Sequence, residues 1–332
     1  MMSGKRWLAL GIAAGLFVVS IGFQFLSSVV MTDWEALLDM TEQPFEEVMI
    51  ETGSSTDKIA IVELNGVIQD TGSGSVLSGA GYNHKQFLKM LESAGEDQHV
   101  DAVIIRVNTP GGGVVESAEI HDKVVEIQDT YEKPVYISMG NSAASGGYYI
   151  SAPADKIIAH PATLTGSIGV IMQSINVAKL AEDLGVDVKT IKSGEFKDIM
   201  SPTKEMTDEE HDILQTMVDE LYGDFVQVIV DGRDMDEQTV RKLGDGRVYT
   251  GAQAKDIGLV DELGTLDDTI DMLMEDHNLA GASIVEYRSG VGFPQLFSMT
   301  AGKLLGKEAE LSGLLELIRD SSGPRAMYLY SK

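Results

Sequence analysis

DAVIIRVNTPGGGVVESAEIHDKVVEIQDTYEKPVYISMG, residues 101–140, decides the fold class. Its first ten residues, 101–110, form a short run rich in Ile and Val, the pattern of a buried strand. Three glycines follow in NTPGGGV (108–114), where backbone can turn sharply and come close to a neighbour. From 114 to 132 the apolar residues recur at spacings of three and four, which predicts a helix, and KPVYISMG (133–140) returns to strand. Strand, helix, strand within forty residues is the repeating unit of an α/β fold.

The same alternation extends in both directions. KIAIVELNGVI (58–68) reads as a strand and NHKQFLKMLESAGED (83–97) as a helix. Downstream, GNSAASGGYYISAPADKIIAHP (140–161) packs Ala143, Ala144, Gly146 and Gly147 around Ser145, so that another helix or a bound peptide can approach the backbone there. The apolar DKIIAHP, a turn at TLTGSIGV, a helix in INVAKLAEDLG and a short strand in DVKTIKSG (187–194) complete a further unit. Thr207 caps a long amphipathic helix over 207–233 whose first turn is acidic, and 246–264 reads as strand, helix, glycine stop and strand. Without an internal repeat or low-complexity tract, the economical organisation is one domain from 58 to 290 with an extension over 291–332.

Composition narrows the chemistry. The absence of cysteine removes disulfides, thiolate metal sites and a cysteine nucleophile. Fifty-two acidic residues against 25 basic ones give a formal charge of −27, which argues against a nucleic-acid partner and suits a solvated surface in saline or alkaline surroundings. Between Arg6 and Asp33 no residue is charged, and WLALGIAAGLFVVSIGFQFL (7–26) has the length and hydropathy of a membrane-spanning helix. Lys5 and Arg6 before it, and Asp33, Glu35, Asp39 and Glu42 after it, predict a cytoplasmic N-terminus and an extracytoplasmic domain. The expected layout is therefore a tip and anchor over 1–32, then an acidic linker or short amphipathic helix over 33–57. A cleaved signal peptide is the alternative, although no A-x-A site follows the apolar run.

Ser145 has two readings, close packing or a nucleophile, and a serine hydroxyl attacks only when another group takes its proton. The glycines of 111–113 can direct backbone N–H groups at an oxyanion, or simply turn the chain. Six histidines (His84, His99, His121, His160, His211 and His277) show no metal-ligand spacing, and most sit in charged helical or turn contexts that read as solvated surface. His160 is the best of them as a triad base. Lys197 in IKSGEFKDIMSP is the other base, provided that its amine sheds its proton, and the neighbouring Asp198 opposes that if both share a pocket. A surface lysine paired with an acid is the bland alternative.

KIAIVELNGVI, VNTPGGGVVESAEI, SMGNSAASGGYYISAPADKIIAHPATLTGSIGVI, IKSGEFKDIMSP and GRVYTGAQAKDIGLVDELG together resemble the signal peptide peptidase A family of serine–lysine membrane proteases, within the crotonase-like and caseinolytic-protease-like fold. The resemblance implies that Ser145 is the nucleophile and Lys197 the general base. It puts Gly112 and Gly146 at the oxyanion hole and gives Ser167 the hydroxyl that orients the lysine. It implies no metal or cofactor, a membrane location, and a homo-oligomeric ring in which adjacent subunits share catalytic centres. Its substrates are remnant signal peptides bound extended in apolar pockets. A fold of this kind can also bind acyl-coenzyme A, or serve as an inactive membrane scaffold, so fold analogy alone does not decide function.

Overall fold

An apolar run that hides both faces must lie in the middle of a sheet covered by helices on each side, and the runs identified above do so. A computed structural model of the chain describes residues 45–70, 82–289 and 326–330. Contacts divide the chain after Glu46, and apart from the first two residues of its first strand the architecture below is that of the unit 47–332. The strands are β1 (Phe45–Glu51), β2 (Lys58–Asn65), β3 (Val100–Thr109), β4 (Gly111–Gly113), β5 (Val135–Ala144), β6 (Lys156–Ala159), β7 (Leu164–Gly166), β8 (Val248–Thr250), β9 (Glu262–Leu263), β10 (Ser283–Ser289) and β11 (Met327–Leu329). The helices are α1 (His84–Glu96), α2 (Val114–Asp129), α3 (Gly146–Tyr149), α4 (Ala178–Asp183), α5 (Asp208–Arg233), α6 (Glu237–Leu243), α7 (Gly251–Asp256) and α8 (Leu266–Asp276).

The fold is mixed α/β, with a parallel-rich sheet in the order β1-β10-β2-β3-β5-β6-β9 and a branch in which β7 joins β5 and β8 joins β7. On one face Ile59, Ile61, Ala102, Ile104, Ile158 and Ile284 pack with Leu273 of α8. Strand alternation turns Val103, Ile105 and Val107 to the opposite face, and α1 and α2 contact the sheet as well. Asn83 caps α1 by accepting the Gln86 N–H at 3.0 Å, and the helix buries Phe87, Met90, Leu91 and Ala94 on one stripe. At its other end the Lys133 ammonium donates to the carbonyls of Ala94, Gly95 and Asp97 at 3.0, 2.5 and 2.6 Å, supplying positive charge where the helix leaves acceptors open.

Several expectations change. Residues 187–194, read as a strand, form no strand: Val188 and Ile191 are exposed, and among the described residues no segment pairs with them. The stretch 33–57, read as linker, contributes β1, because Phe45–Glu51 adds to the sheet edge beside β10. Part of the TLTGSIGV turn is β7, and β5 runs four residues past Gly140 as far as Ala144. From the 291–332 extension, residues 327–329 return to the domain as β11. The apolar span at 7–26 lies outside the described residues, among which no helix is long and apolar enough to cross a membrane.

The Lys133 cap gives a stability test. Lys133→Met keeps the stem and removes the donors, so it should cost about 1–2 kcal/mol, read as a lower urea midpoint with an unchanged slope; an unchanged midpoint would show that water replaces the ammonium without loss.

Candidate active site

Strand β5 ends at Ala144, α3 begins at Gly146, and Ser145 makes the whole turn between them at φ 53°, ψ −116°. A side chain at that combination is strained, at a cost of about 1–3 kcal/mol, and persists only where its surroundings leave no alternative. Here they leave none. The Ser145 N–H donates to the Gly166 carbonyl at 2.7 Å, and the Ser145 carbonyl accepts from Tyr148 and Tyr149 at 2.8 and 2.9 Å. Thr165 Oγ1 donates to the Ala143 carbonyl at 2.7 Å, Ser151 Oγ to the Gly147 carbonyl at 2.6 Å, and Tyr148 Oη to the Leu259 carbonyl at 2.9 Å. The elbow is thus tied to β7, to α3 and to the loop before β9, and Ser145 itself is 1% exposed.

Backbone meets backbone beside it. A Cβ on Gly111 would lie 2.7 Å from the Gly146 nitrogen, and one on Gly146 would lie 3.2 Å from the Gly112 nitrogen and 2.7 Å from Ser117 Oγ. Only glycine allows this approach, which puts the amide of Gly112 next to the opening amide of α3, a group with no carbonyl partner inside its own helix. Gly111, at φ +103°, needs glycine for its conformation as well. Ser117 Oγ donates to the Gly113 carbonyl at 2.8 Å and fixes the end of the glycine strand.

The glycine strand is flanked on both edges. On one, the Ile68 N–H donates to the Gly111 carbonyl at 2.9 Å and the Gly113 N–H to the Ile68 carbonyl at 2.8 Å. On the other, β11 runs antiparallel with Tyr328 opposite Gly112, and Tyr330 N–H donates to the Pro110 carbonyl at 2.8 Å. Two residues along an antiparallel ladder the hydrogen-bonded phase returns, so Tyr328 and Gly112 form a hydrogen-bonded pair. The Tyr328 carbonyl oxygen lies 2.1 Å from the point where a Gly111 Cβ would sit, the same point that lies 2.7 Å from the Gly146 nitrogen. The Tyr328 carbonyl therefore stands against Gly111, across the ladder from Gly112. The far edge of β11 bridges Ile171 through the Met327 N–H and carbonyl, both at 3.1 Å. The Tyr328 ring is buried between Tyr149 and Phe225, with centroids 5.0 and 4.7 Å away, and its hydroxyl donates to the Leu221 carbonyl at 3.1 Å. Burial pushes the Tyr149 phenol up to about 12 and raises that of Tyr328, so both stay protonated.

The other sequence-derived residues are placed unequally. Ser167 follows the Gly166 that binds Ser145, is nearly buried, and donates its N–H to the Arg247 carbonyl at 2.8 Å. Lys197 is not brought to Ser145: it is exposed on the 193–200 turn, and among the described residues its ammonium has no hydrogen-bonding partner. His160 does not approach the serine either; its Nδ1 accepts the Ala162 N–H at 3.1 Å, and it lines a separate cavity of about 300 Å³ with Arg106, Asn141 and Thr265. His84 departs from the surface reading of the histidines, being buried between Tyr82 Oη and Glu119 Oε2 at 2.6 Å each. Sequence reasoning missed Ser117 and the aromatic pocket of Tyr149, Phe225 and Tyr328, whose members lie up to 179 positions apart and share no local signal.

Comparison with known proteins gives the constellation its context. Residues 128–280 match the model of peptidase family S49. A protein of Enterococcus faecium provisionally named signal peptide peptidase SppA is 39% identical over 99% of both chains. The chloroplastic serine protease SPPA of Arabidopsis thaliana is 30% identical over 81% of this chain and 40% of its own length. Protease 4 of Salmonella typhi is 36% identical over 64% of this chain and 33% of its own. With full-length likeness to the first and a matching domain in the others, the chain belongs to peptidase family S49, the signal peptide peptidase A family of serine-type peptidases.

Proposed function

We propose that this peptidase is anchored in the cell membrane by residues 7–26, carries its catalytic domain outside the cytoplasm, and degrades remnant signal peptides with a Ser145–Lys197 dyad. The observation that carries the reading is the Ser145 elbow, strained at φ 53° beside a glycine strand that already holds an extended segment, with the Tyr328 carbonyl against Gly111. Strain of this kind at a serine is a cost without purpose unless the hydroxyl must stand at one place. The lane between Gly111–Gly113 and Ile171 suits a peptide added as a strand, with main-chain hydrogen bonds giving affinity and the Tyr149–Phe225 pocket selecting an apolar side chain.

In this reading Lys197, as a neutral amine, takes the Ser145 Oγ proton while Oγ attacks the scissile carbonyl. The amides of Gly112 and Gly146 receive the oxyanion, and Ser167 holds the amine in line. The amine then returns the proton to the departing nitrogen, and water, deprotonated by the same lysine, cleaves the acyl-enzyme. No cofactor is needed, and an extracytoplasmic site has no supply of coenzyme A, which disfavours acyl-coenzyme A chemistry on this crotonase-like or caseinolytic-protease-like architecture.

Lys197 is exposed, and burial is what brings a lysine amine to shed its proton, so the reading needs something to cover it. The segment that carries it also leaves Ile175, Leu184 and Ile191 at 77, 72 and 102% exposure, an apolar display that invites a partner. A second copy of this chain satisfies both needs: it buries the apolar face and brings the lysine of one subunit to the serine of the next, in a homo-oligomeric ring with shared centres.

Three measurements test the proposal. Ser145→Ala and Lys197→Ala should each lower kcat by about 10⁴-fold or more, with the double variant little worse, because members of a catalytic unit are not additive; Ser145→Gly should be equally inactive yet more stable by about 1–2 kcal/mol as the elbow relaxes. Since the deprotonated amine is the active form, kcat/KM should rise with pH, along a limb above the ordinary histidine value of about 6.5 and below the free lysine value of about 10.4; a limb centred at the histidine value would restore a histidine base. Leu184→Asp with Ile191→Asp should lower the sedimentation coefficient and the activity together while the circular dichroism spectrum is kept, and a fully active monomer would rule out shared centres.

A further inference from the structure

The residue after Lys197 is an acid, and an opposite charge within about 4–6 Å stabilises an ammonium against losing its proton. Asp198 is nevertheless engaged elsewhere. Its Oδ1 accepts the ammonium of Lys192 at 2.7 Å and that of Lys204 at 2.9 Å. Lys204 continues to Glu210 Oε1 in α5, whose side chain is 2% exposed. Glu210 in turn closes the capping box of that helix: its Oε2 accepts the Thr207 N–H at 3.1 Å, and its own N–H donates to Thr207 Oγ1 at 3.2 Å. Lys192 also donates to the Glu195 carbonyl at 2.6 Å, which folds the turn back on itself. Two cations and two anions thus form a neutral ladder from the turn that bears Lys197 to the first turn of α5.

Protonation offers no other way to silence Asp198. Hydrogen bonds from Lys192 and then Lys204 hold its carboxyl down to about 2, so it is charged at every pH at which a lysine could lose its proton. Of the other charged groups near the turn, Glu195 is exposed and its carboxylate makes no ion pair among the described residues. Glu205 is 3.4 Å from Asn176 Nδ2, which also donates to the Lys204 carbonyl at 2.9 Å; His211 faces Asp212 at 3.5 Å; and Lys189 pairs with Asp187 at 3.3 Å.

We propose that Lys192, Lys204 and Glu210 are positioning residues for the base: they hold the Asp198 carboxylate away from Lys197, leaving its amine without a counter-ion and its turn fixed to the start of α5. This rests on the reading of Lys197 as the base. The ladder lysines act by cancelling the adjacent negative charge, so that the neutral ladder offers Lys197 no counter-ion.

The test is the pH profile of kcat/KM on an apolar fluorogenic peptide, with sedimentation and circular dichroism on every variant. Lys204→Met removes one of the two ammonium groups on Asp198 and should move the rising limb up, and Lys192→Met with Lys204→Met, which frees Asp198, should move it by about one pH unit, a roughly tenfold loss below the limb. Adding Asp198→Asn to that variant should bring the limb back to its wild-type position. Because Lys204→Met also strands the buried Glu210, Lys204→Gln with Glu210→Gln serves as a second form that keeps a hydrogen bond at the helix start, and Lys192→Met tests the other rung. In the Ser145→Ala background, the pH dependence of Lys197 acetylation by acetic anhydride, read by mass spectrometry, should shift in parallel and does not depend on turnover. A limb and an acetylation profile unmoved in folded, assembled Lys204 and Lys192 variants would overturn the inference and leave the base assignment standing. Activity retained in Lys197→Ala with the same limb would remove the base assignment and the inference with it.

Discussion

Contact between the glycine backbone at 111–112 and the amide of Gly146 governs the geometry of this site. Two chain segments come closer there than any Cβ permits, one leaving β3 through Pro110 and the other leaving β5 through Ser145. The parallel pairing of β3 with β5, which shifts register after Val107 and ends with Thr109 opposite Ala143, delivers them to the same place, and the residue between β5 and α3 has to turn in the space that is left. That residue is a serine at φ 53°, where glycine would rest without strain. The surrounding hydrogen bonds from Thr165, Ser151 and Tyr148 hold a conformation that the peptide unit alone would leave, and the strain fixes the hydroxyl.

A second consequence is that the site is complete on one side and open on the other. Amides, serine and an extended lane with an aromatic pocket all belong to the sheet and its immediate helices, which are rigid and well buried. Lys197 belongs to a segment with little core of its own, held by ion pairs at its base and displaying apolar side chains to solvent. In the proposed dyad, this division between a buried scaffold and an exposed arm would let chemistry depend on association, with the nucleophile shaped by folding and Lys197 left to be covered by a partner.

Much of this was legible before any coordinates. The strands at 58–68 and 101–110, the helices at 83–97 and 114–132 and the capped helix beginning at Thr207 all follow from local patterns of apolar spacing and capping, and the structure has them within a few residues. Strand 187–194 is the instructive failure. Val188 and Ile191 are β-branched residues in a short run that suits a strand, but such a run describes a half-buried surface and says nothing of where a partner lies. Ser145 and the glycines are conspicuous by composition; Lys197 is one of two candidate bases by its sequence context and is preferred to His160 by resemblance, because a lysine beside an aspartate has no spacing that marks a base.

What the sequence by itself determined is therefore the alternation of elements, their caps, the chemistry excluded by the lack of cysteine and the excess of acid, and the apolar character of residues 7–26, since each depends on neighbours within a turn or two of chain. Tertiary structure alone decided that Gly111 meets Gly146, that Tyr328 from the far end of the chain lies opposite Gly112 beside Tyr149 and Phe225, and that Asp198 answers to Lys192 and Lys204 rather than to Lys197. The physical reason is the same in each case: these contacts are set by strand register and by which carboxylate an ammonium reaches first, and neither quantity is a property of any local window of sequence.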